Sequence, residues 1–247
     1  MVIPVFDEDG APPRGVRPWV VWCVLAGNVL AFAYVALLPP MGLIAVAYHF
    51  GVVAGFITRT FPLGELDLLI PPELTLVTYM FLHPTWVHLA ANMIFLWVFG
   101  DNVEAATGHW RFVVLYVMCG IAGALAHVAS DPRSLVPLVG ASGAVAGVVG
   151  AYLLLRPCAH VTVLLFGIMT VRLHAFALLG AWIVLQVVNV VVAQPGTEVS
   201  YWSHIGGVAA GLLLIPILRR RGVRLLAGFE RGGASRRAFA RVMRRFH

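Results

Sequence analysis

A bundle of membrane-crossing α-helices is the fold this sequence predicts, and three observations predict it. The chain of 247 residues is 60% hydrophobic and only 11% charged, whereas a soluble domain carries about 25% charged residues. Its mean hydropathy is +0.90, and its apolar residues gather in stretches of about 20, the length that crosses a hydrocarbon core roughly 30 Å thick. All seventeen basic residues are arginines, unevenly placed along the chain. That unevenness reports topology, so the formal charge of +6 does not call for a nucleic-acid partner. Cys23, Cys119 and Cys158 lie in or beside apolar runs without a CxxC pair, and read as small buried hydrophobes rather than a disulfide framework.

Six stretches are placed as spans: about residues 18–38, 86–100, 110–129, 138–155, 173–192 and 201–218. The fourth is short. Arg14 and Arg17 precede the first span, and ten arginines between residues 219 and 245 follow the last. Both termini are therefore expected in the cytoplasm, and the number of spans is even. With six, the inner side also takes Arg111, Arg156 and Arg172, against Arg59 and Arg133 outside. The same balance decides against a further apolar stretch, 41–58. The Pro- and Gly-rich segment 39–73 becomes a long outer loop, part of which lies in the membrane surface or dips into it. This divides the chain into a cytoplasmic N-terminal segment, 1–17, a six-helix membrane domain, 18–218, and a basic cytoplasmic tail, 219–247. The expected location is a plasma or inner membrane. The first span exceeds the usual signal-peptide h-region of about 7 to 15 residues. Asp7, Glu8 and Asp9 argue against an organelle transit peptide.

The polar residues inside these spans can be ranked by depth. Ser142 precedes Arg156 by 14 residues, about 21 Å of helix, and His204 precedes Arg219 by 15, roughly 22 Å. If both arginines mark the inner boundary, the hydroxyl and the imidazole sit at one height, about 8 to 9 Å below the outer face of the hydrocarbon core. A hydroxyl and an imidazole at one depth are the two parts of a nucleophile and its general base. Gly143, Gly147 and Gly150 on the fourth helix, and a GxxxG of Gly207 and Gly211 on the sixth, suit close helix approach in lipid. Each residue alone also has a plainer reading. A serine back-bonds to its own helix, GxxxG only packs helices, and a membrane histidine holds a cofactor or carries protons.

A third cluster, "HPTWVHLAAN" at residues 83–92, shifts that balance. Pro84 suits the first turn of a helix, where its missing N–H costs nothing, so the second helix is expected to begin there. His88 and Asn92 are four apart and share a face. Asn92 lies 12 residues before Glu104, about 18 Å, near the height of Ser142. An amide and an imidazole there suit donation to a developing oxyanion. The alternatives are a polar knot between helices or a histidine metal site. The metal reading is weakened because His83 and His88, five apart with a proline between, do not form the i, i+4 pair of a helical zinc site.

These motifs together resemble the rhomboid intramembrane serine proteases of bacterial type: His83, His88 and Asn92 as H-x4-H-x3-N, residues 140–143 as GxSG, and His204 with Gly207 and Gly211 as H-x2-G-x3-G. "FLWVFGDNVE" followed by "GHWRF" is similar to that family's second helix and cytoplasmic turn. The resemblance runs from the first helix to the sixth. It implies a six-helix all-α bundle with a short fourth helix, in which Ser142 is the nucleophile and His204 its base, with no third carboxylate. His88, Asn92 and the Ser142 backbone N–H would form the oxyanion hole, with His83 and Gly140 shaping the loop around it. It further implies serine endopeptidase activity on the transmembrane helices of membrane-protein substrates in the lipid bilayer, with neither metal nor cofactor. Two positions depart from the family pattern. An aromatic residue often stands four after the serine to stack on the imidazole, but here that position is Ala146. Support must come from elsewhere, from Trp202 or from a fifth-helix residue. No Trp-Arg pair occurs in 39–73. The competing readings are a proteolytically inactive relative that binds membrane-protein clients, although such relatives typically lose the serine or histidine, and a proton-coupled transporter using His88, Asn92 and His204. A transporter predicts ionisable groups on both sides of the midplane, whereas these cluster toward one.

Overall fold

The computed structural model describes residues 2–7, 17–62, 67–165, 169–192 and 200–228. Arg14 and the tail beyond residue 228 lie outside the described residues. Seven helices longer than a single turn carry the described fold: α1 (Trp19–Ala36), α2 (Pro40–Phe50), α3 (Trp86–Thr107), α4 (His109–Ser130), α5 (Ser142–Leu155), α6 (Ala175–Val192) and α7 (Tyr201–Leu218). Among the described residues α1, α4, α6 and α7 are long and apolar enough to cross a membrane. The fourteen residues of α5 amount to only about 21 Å.

The six apolar stretches coincide with α1, α3, α4, α5, α6 and α7, with three corrections. Helix α3 does not end at Gly100 but runs on to Thr107, because its charged end is buried rather than solvated. The Glu104 carboxylate, fully buried, accepts the backbone N–H groups of Val20 at 3.0 Å and Val21 at 2.8 Å. A carboxylate there satisfies orphan donors and opposes the positive dipole end of α1. His109 Nδ1 lies 2.6 Å from the same carboxylate. Second, Pro84 is not helical: Thr85 is the N-cap, its Oγ1 accepting the His88 N–H at 3.2 Å, so the helix opens after the proline, at Trp86. Third, α5 starts at Ser142 rather than 138. Segment 39–73 is partly helical, carrying α2 and the single turn Ala54–Ile57.

The described fold is mostly helical, as expected, and carries one small sheet in addition. A three-stranded antiparallel sheet joins β1 (Val2–Asp7), β2 (His160–Leu165) and β3 (Met169–His174), with β2 in the middle. Val161, Thr162 and Val163 are all buried, as suits a middle strand covered on both faces. Asp7 of β1 accepts hydrogen bonds from the Tyr152 hydroxyl of α5 and, at 3.3 Å, from Asn102 Nδ2 of α3. Past α7, Leu226 and Ala227 donate backbone hydrogen bonds to the carbonyls of Leu154 and Leu155 at 2.8 and 3.0 Å. Both ends of the described chain thus meet at the C-terminal end of α5. Ser142 stands at the opposite end.

Helix α5 is the axis of the bundle. Residues 143 to 152 are all buried, with the Phe99 ring of α3 against Tyr152 at 4.9 Å between centroids. Against α7 there is no room for side chains. A Cβ on Gly207 would stand 2.0 Å from the Gly143 carbonyl oxygen, and one on Gly211 2.0 Å from that of Gly147. The two backbones touch, the arrangement small residues permit between helices in lipid.

Candidate active site

The loop before α5 is fixed before the helix begins. Leu138 and Val52 exchange backbone hydrogen bonds of 2.8 and 3.0 Å, and the Gly140 N–H donates to the Tyr79 carbonyl at 3.0 Å. Gly140 has φ +123°, and a Cβ there would meet the His88 ring, 2.9 Å from Cε1 and 3.0 Å from Nε2. Glycine is required twice at this position, by backbone conformation and by the imidazole lying against it. The next N–H, of Ala141, faces His83 Nε2 at 3.5 Å. At Ser142 the helix begins, so the N–H groups of Ser142, Gly143 and Ala144 have no intrahelical acceptor and the positive end of the dipole lies there. Ser142 alone among the first three turns of α5 keeps partial exposure.

His204 lies in the first turn of α7, whose N-cap Ser200 accepts the Ser203 N–H through its hydroxyl at 3.3 Å. Ser200 Oγ is also 2.8 Å from His127 Nδ1 at the end of α4. The chain neighbours of Ser142 and His204 are in contact: a Cβ on Gly143 would fall 2.6 Å from Ser203 Oγ. The His204 imidazole is 8% exposed. Its Nδ1 is 2.7 Å from Gln186 Oε1 on α6. The Trp182 ring, one turn earlier on α6, lies 5.7 Å away at 31°, and Tyr201 stands edge-on at 6.4 Å.

The third side comes from α3. His88 lies edge-on to His83, with centroids 5.5 Å apart at 83°. Asn92, 5% exposed, donates one Nδ2 hydrogen to the His88 carbonyl at 3.1 Å, and the amide carries a second hydrogen. His83, His88 and Gly140 therefore form one cluster at the N-terminus of α5, and Ser142 and His204 begin adjoining helices at the same end of the bundle. Among the described residues no group of three or more His, Cys, Asp or Glu side chains is arranged to hold a metal ion.

Sequence reasoning looked to Trp202 or the fifth span for imidazole support. Trp202 is 45% exposed, and the buried partner of His204 is the fifth-span residue Gln186. Ala175, Leu179 and Gln186 are the buried residues of α6, and with Trp182 they recur every three or four positions along one helical face, a face that its almost uniformly apolar sequence does not mark.

Comparison with known proteins gives a consistent picture. The family model described as Rhomboid domain matches residues 72–221. Rhomboid protease GluP of Bacillus subtilis (strain 168) is 32% identical over 158 residues, covering 62% of this chain and 28% of that protein. RHOMBOID-like protein 5 of Arabidopsis thaliana is 32% identical over 184 residues, covering 61% of this chain and 58% of that one. The Putative rhomboid protease YdcA of Bacillus subtilis (strain 168) is 29% identical over 140 residues, covering 56% and 64%. The matches thus span between 28% and 64% of these relatives' own lengths.

Proposed function

The chain belongs to the rhomboid family, a multi-pass membrane protein, and on that premise we propose that it is an intramembrane serine endopeptidase working through Ser142 and His204. The observation that carries this reading is the backbone contact between α5 and α7. It joins the helix that opens with the GxSG serine to the helix that opens with the histidine, at the same end. In the proposed reaction Ser142 Oγ attacks the scissile carbonyl carbon of a locally unwound transmembrane segment while its proton passes to His204 Nε2. The negative charge formed on the carbonyl oxygen is met by the Ser142 N–H, at the positive end of α5, and by His88 and Asn92. His204 then gives its proton to the leaving amine as the C–N bond breaks. Water, deprotonated by the same imidazole, hydrolyses the acyl-enzyme and restores the serine. His83, facing the Ala141 N–H, and Gly140, against His88, hold the loop.

The proposed membrane architecture has six spans in residues 18–218, with the segments 1–17 and 219–247 both cytoplasmic. Three features support it. Both ends of the described chain meet at one end of α5, as an even number of crossings requires. Arg156 and Arg219 follow α5 and α7 at that end, and positive charge marks the cytoplasmic side. The shortness of α5 leaves the serine recessed, where water can reach it from the opposite face. The substrates are membrane proteins whose helices unwind readily, since an unwound backbone in lipid is costly unless helix-breaking residues have already weakened it.

The deciding experiment treats detergent-purified protein with a fluorescent fluorophosphonate and compares wild type with Ser142→Ala and His204→Ala. Wild type takes up label and both variants remain unlabelled, at unchanged melting temperature. Cleavage of a single-span reporter protein with a glycine- and proline-containing transmembrane segment follows the same pattern in liposomes. Absence of Ser142-dependent labelling in folded wild type would replace this reading with that of an inactive client-binding relative.

A further inference from the structure

We infer that Gln186 on α6 is a positioning residue for His204, taking the place of a third catalytic group; the inference rests on the Ser142–His204 reading above. Position 146, four after the serine, is a buried alanine and offers the imidazole only a methyl group. The opposite side of the ring is built from α6. Gln186 is 6% exposed, and its Oε1 lies 2.7 Å from His204 Nδ1. A second hydrogen bond fixes the orientation of the amide: its Nε2 donates to the Trp182 carbonyl at 3.1 Å, and a carbonyl can only accept. The amide oxygen therefore faces His204, and an oxygen can only accept. His204 must carry its proton on Nδ1. The neutral ring is then the tautomer whose Nε2 is a bare lone pair, the atom required to take the serine proton.

The same contact serves the charged state. When Nε2 takes the proton, Nδ1–H becomes a stronger donor, and the amide oxygen already sits on it without reorganising. Trp182, one turn away on the same helix, limits the tilt of the ring. A glutamine supplies orientation and a dipole where a carboxylate would supply a full charge, at a much smaller cost of burial in lipid.

Two kinds of measurement test this. Wild-type protein labelled with 15N-histidine, with the His204 signal assigned by its loss in His204→Ala, shows a neutral ring protonated at Nδ1. Protonation at Nε2 would overturn the inference without any variant at Gln186. In the second, fluorophosphonate labelling is followed across pH for wild type, Gln186→Met and Gln186→Glu. Gln186→Met keeps the packing and loses the acceptor. A hydrogen bond to a charged group is worth about 1.5 to 3 kcal/mol, so the limiting labelling rate drops about 10- to 100-fold while the concentration for half-maximal rate stays unchanged. Gln186→Glu keeps an acceptor and adds negative charge, so labelling survives at alkaline pH and the acid limb moves to higher pH.

The other groups around the imidazole are constant across this series. They are His88, with His83 edge-on to it, Tyr201 on α7, and His127 of α4, joined to Ser200. Helix α6 carries no charged residue, and neither does α5. Equal loss in both variants with an unmoved pH profile would mean a structural role only. A wild-type rate in Gln186→Met would sink the inference while leaving the proposed function intact. Failure of wild type to label at all would sink the function, with the tautomer measurement still deciding the hydrogen bond.

Discussion

The seam between α5 and α7 and the contact of α6 with α7 hold His204 from two sides by opposite means. Along the seam, backbone lies on backbone: Gly207 and Gly211 leave no space for even a methyl group beside the carbonyls of Gly143 and Gly147. Helix α6 buries only Ala175, Leu179 and Gln186, and turns Val184, Leu185, Val187 and Val191 outward. Its grip at the level of His204 is one side-chain hydrogen bond with two ring contacts, to Trp182 and, through Trp182, to Phe95 of α3 at 6.1 Å. Lipid offers no hydrophobic drive between helices, so the seam draws its strength from close packing, and a side-chain hydrogen bond there is worth only about 0.6 kcal/mol on average. The difference assigns each region its part. The seam fixes where Ser142 and His204 stand, and in the proposed reaction α6 adjusts how the imidazole is aimed.

One substitution beside the seam separates rate from stability most widely. Asn92 of α3 spends one amide hydrogen on its own helix, so its removal costs little packing. In the proposed reaction it is an oxyanion donor acting mainly in the transition state, a role worth about 10² to 10³ in rate, or about 3 to 4 kcal/mol. Asn92→Ala is expected to lower single-turnover cleavage in liposomes by that factor at unchanged substrate affinity and melting temperature. A variant that melts several degrees lower yet cleaves at the wild-type rate would assign Asn92 to packing.

The next effect in size tests the seam itself. In Gly207→Ala a Cβ enters 2.0 Å from the Gly143 oxygen, and neither backbone has a flexible side chain to move aside. Overpacking of this kind costs about 1 to 3 kcal/mol. Thermal denaturation in detergent should show a clear drop for Gly207→Ala, with labelling of Ser142 falling alongside it as α7 is pushed off α5. A melting temperature equal to wild type would mean that the two helices are not in backbone contact.

The same contrast explains which features were legible in the sequence. Helix spans follow from runs of apolar residues, and the glycine spacing on the fourth and sixth spans pointed to close approach, because both signals are local. The cluster of His83, His88 and Gly140 was legible as a motif, whereas the reason for its glycine was not, since that depends on φ at residue 140 and on where the His88 ring falls. The second span was expected to end at about residue 100, before Asp101 and Glu104, because charge ordinarily marks water; here Glu104 satisfies the first N–H groups of α1, more than eighty residues away in sequence. Strand β1 pairs with a segment over 150 residues distant, and nothing near it announces the partner. Gln186 was anticipated only as an unnamed fifth-span residue. Helix α6 carries two amides, Gln186 and Asn189, with no motif around either, and which of them faces His204 depends on the rotation of α6 about its own axis.

The smallest expected effect is the control for the whole contrast, and it lies on α6. Gly180 is in the interior of that helix, and a Cβ built on it meets nothing within 4 Å. The chemical change is the one made at Gly207, a hydrogen replaced by a methyl group in the middle of a helix, so any difference reports the surroundings alone. Without a clash, what remains is the backbone: alanine is favoured over glycine in a helix interior by up to about 1 kcal/mol, because fewer unfolded conformations are lost. Gly180→Ala should therefore leave the melting temperature equal to wild type or raise it by a few degrees, and leave the labelling rate of Ser142 unchanged. Measured side by side in one detergent, the pair gives shifts of opposite sign or one shift and none. A drop at Gly180 as large as that at Gly207 would mean that α6 is packed as tightly as the seam, and the division of labour between fixing and aiming would fall with it.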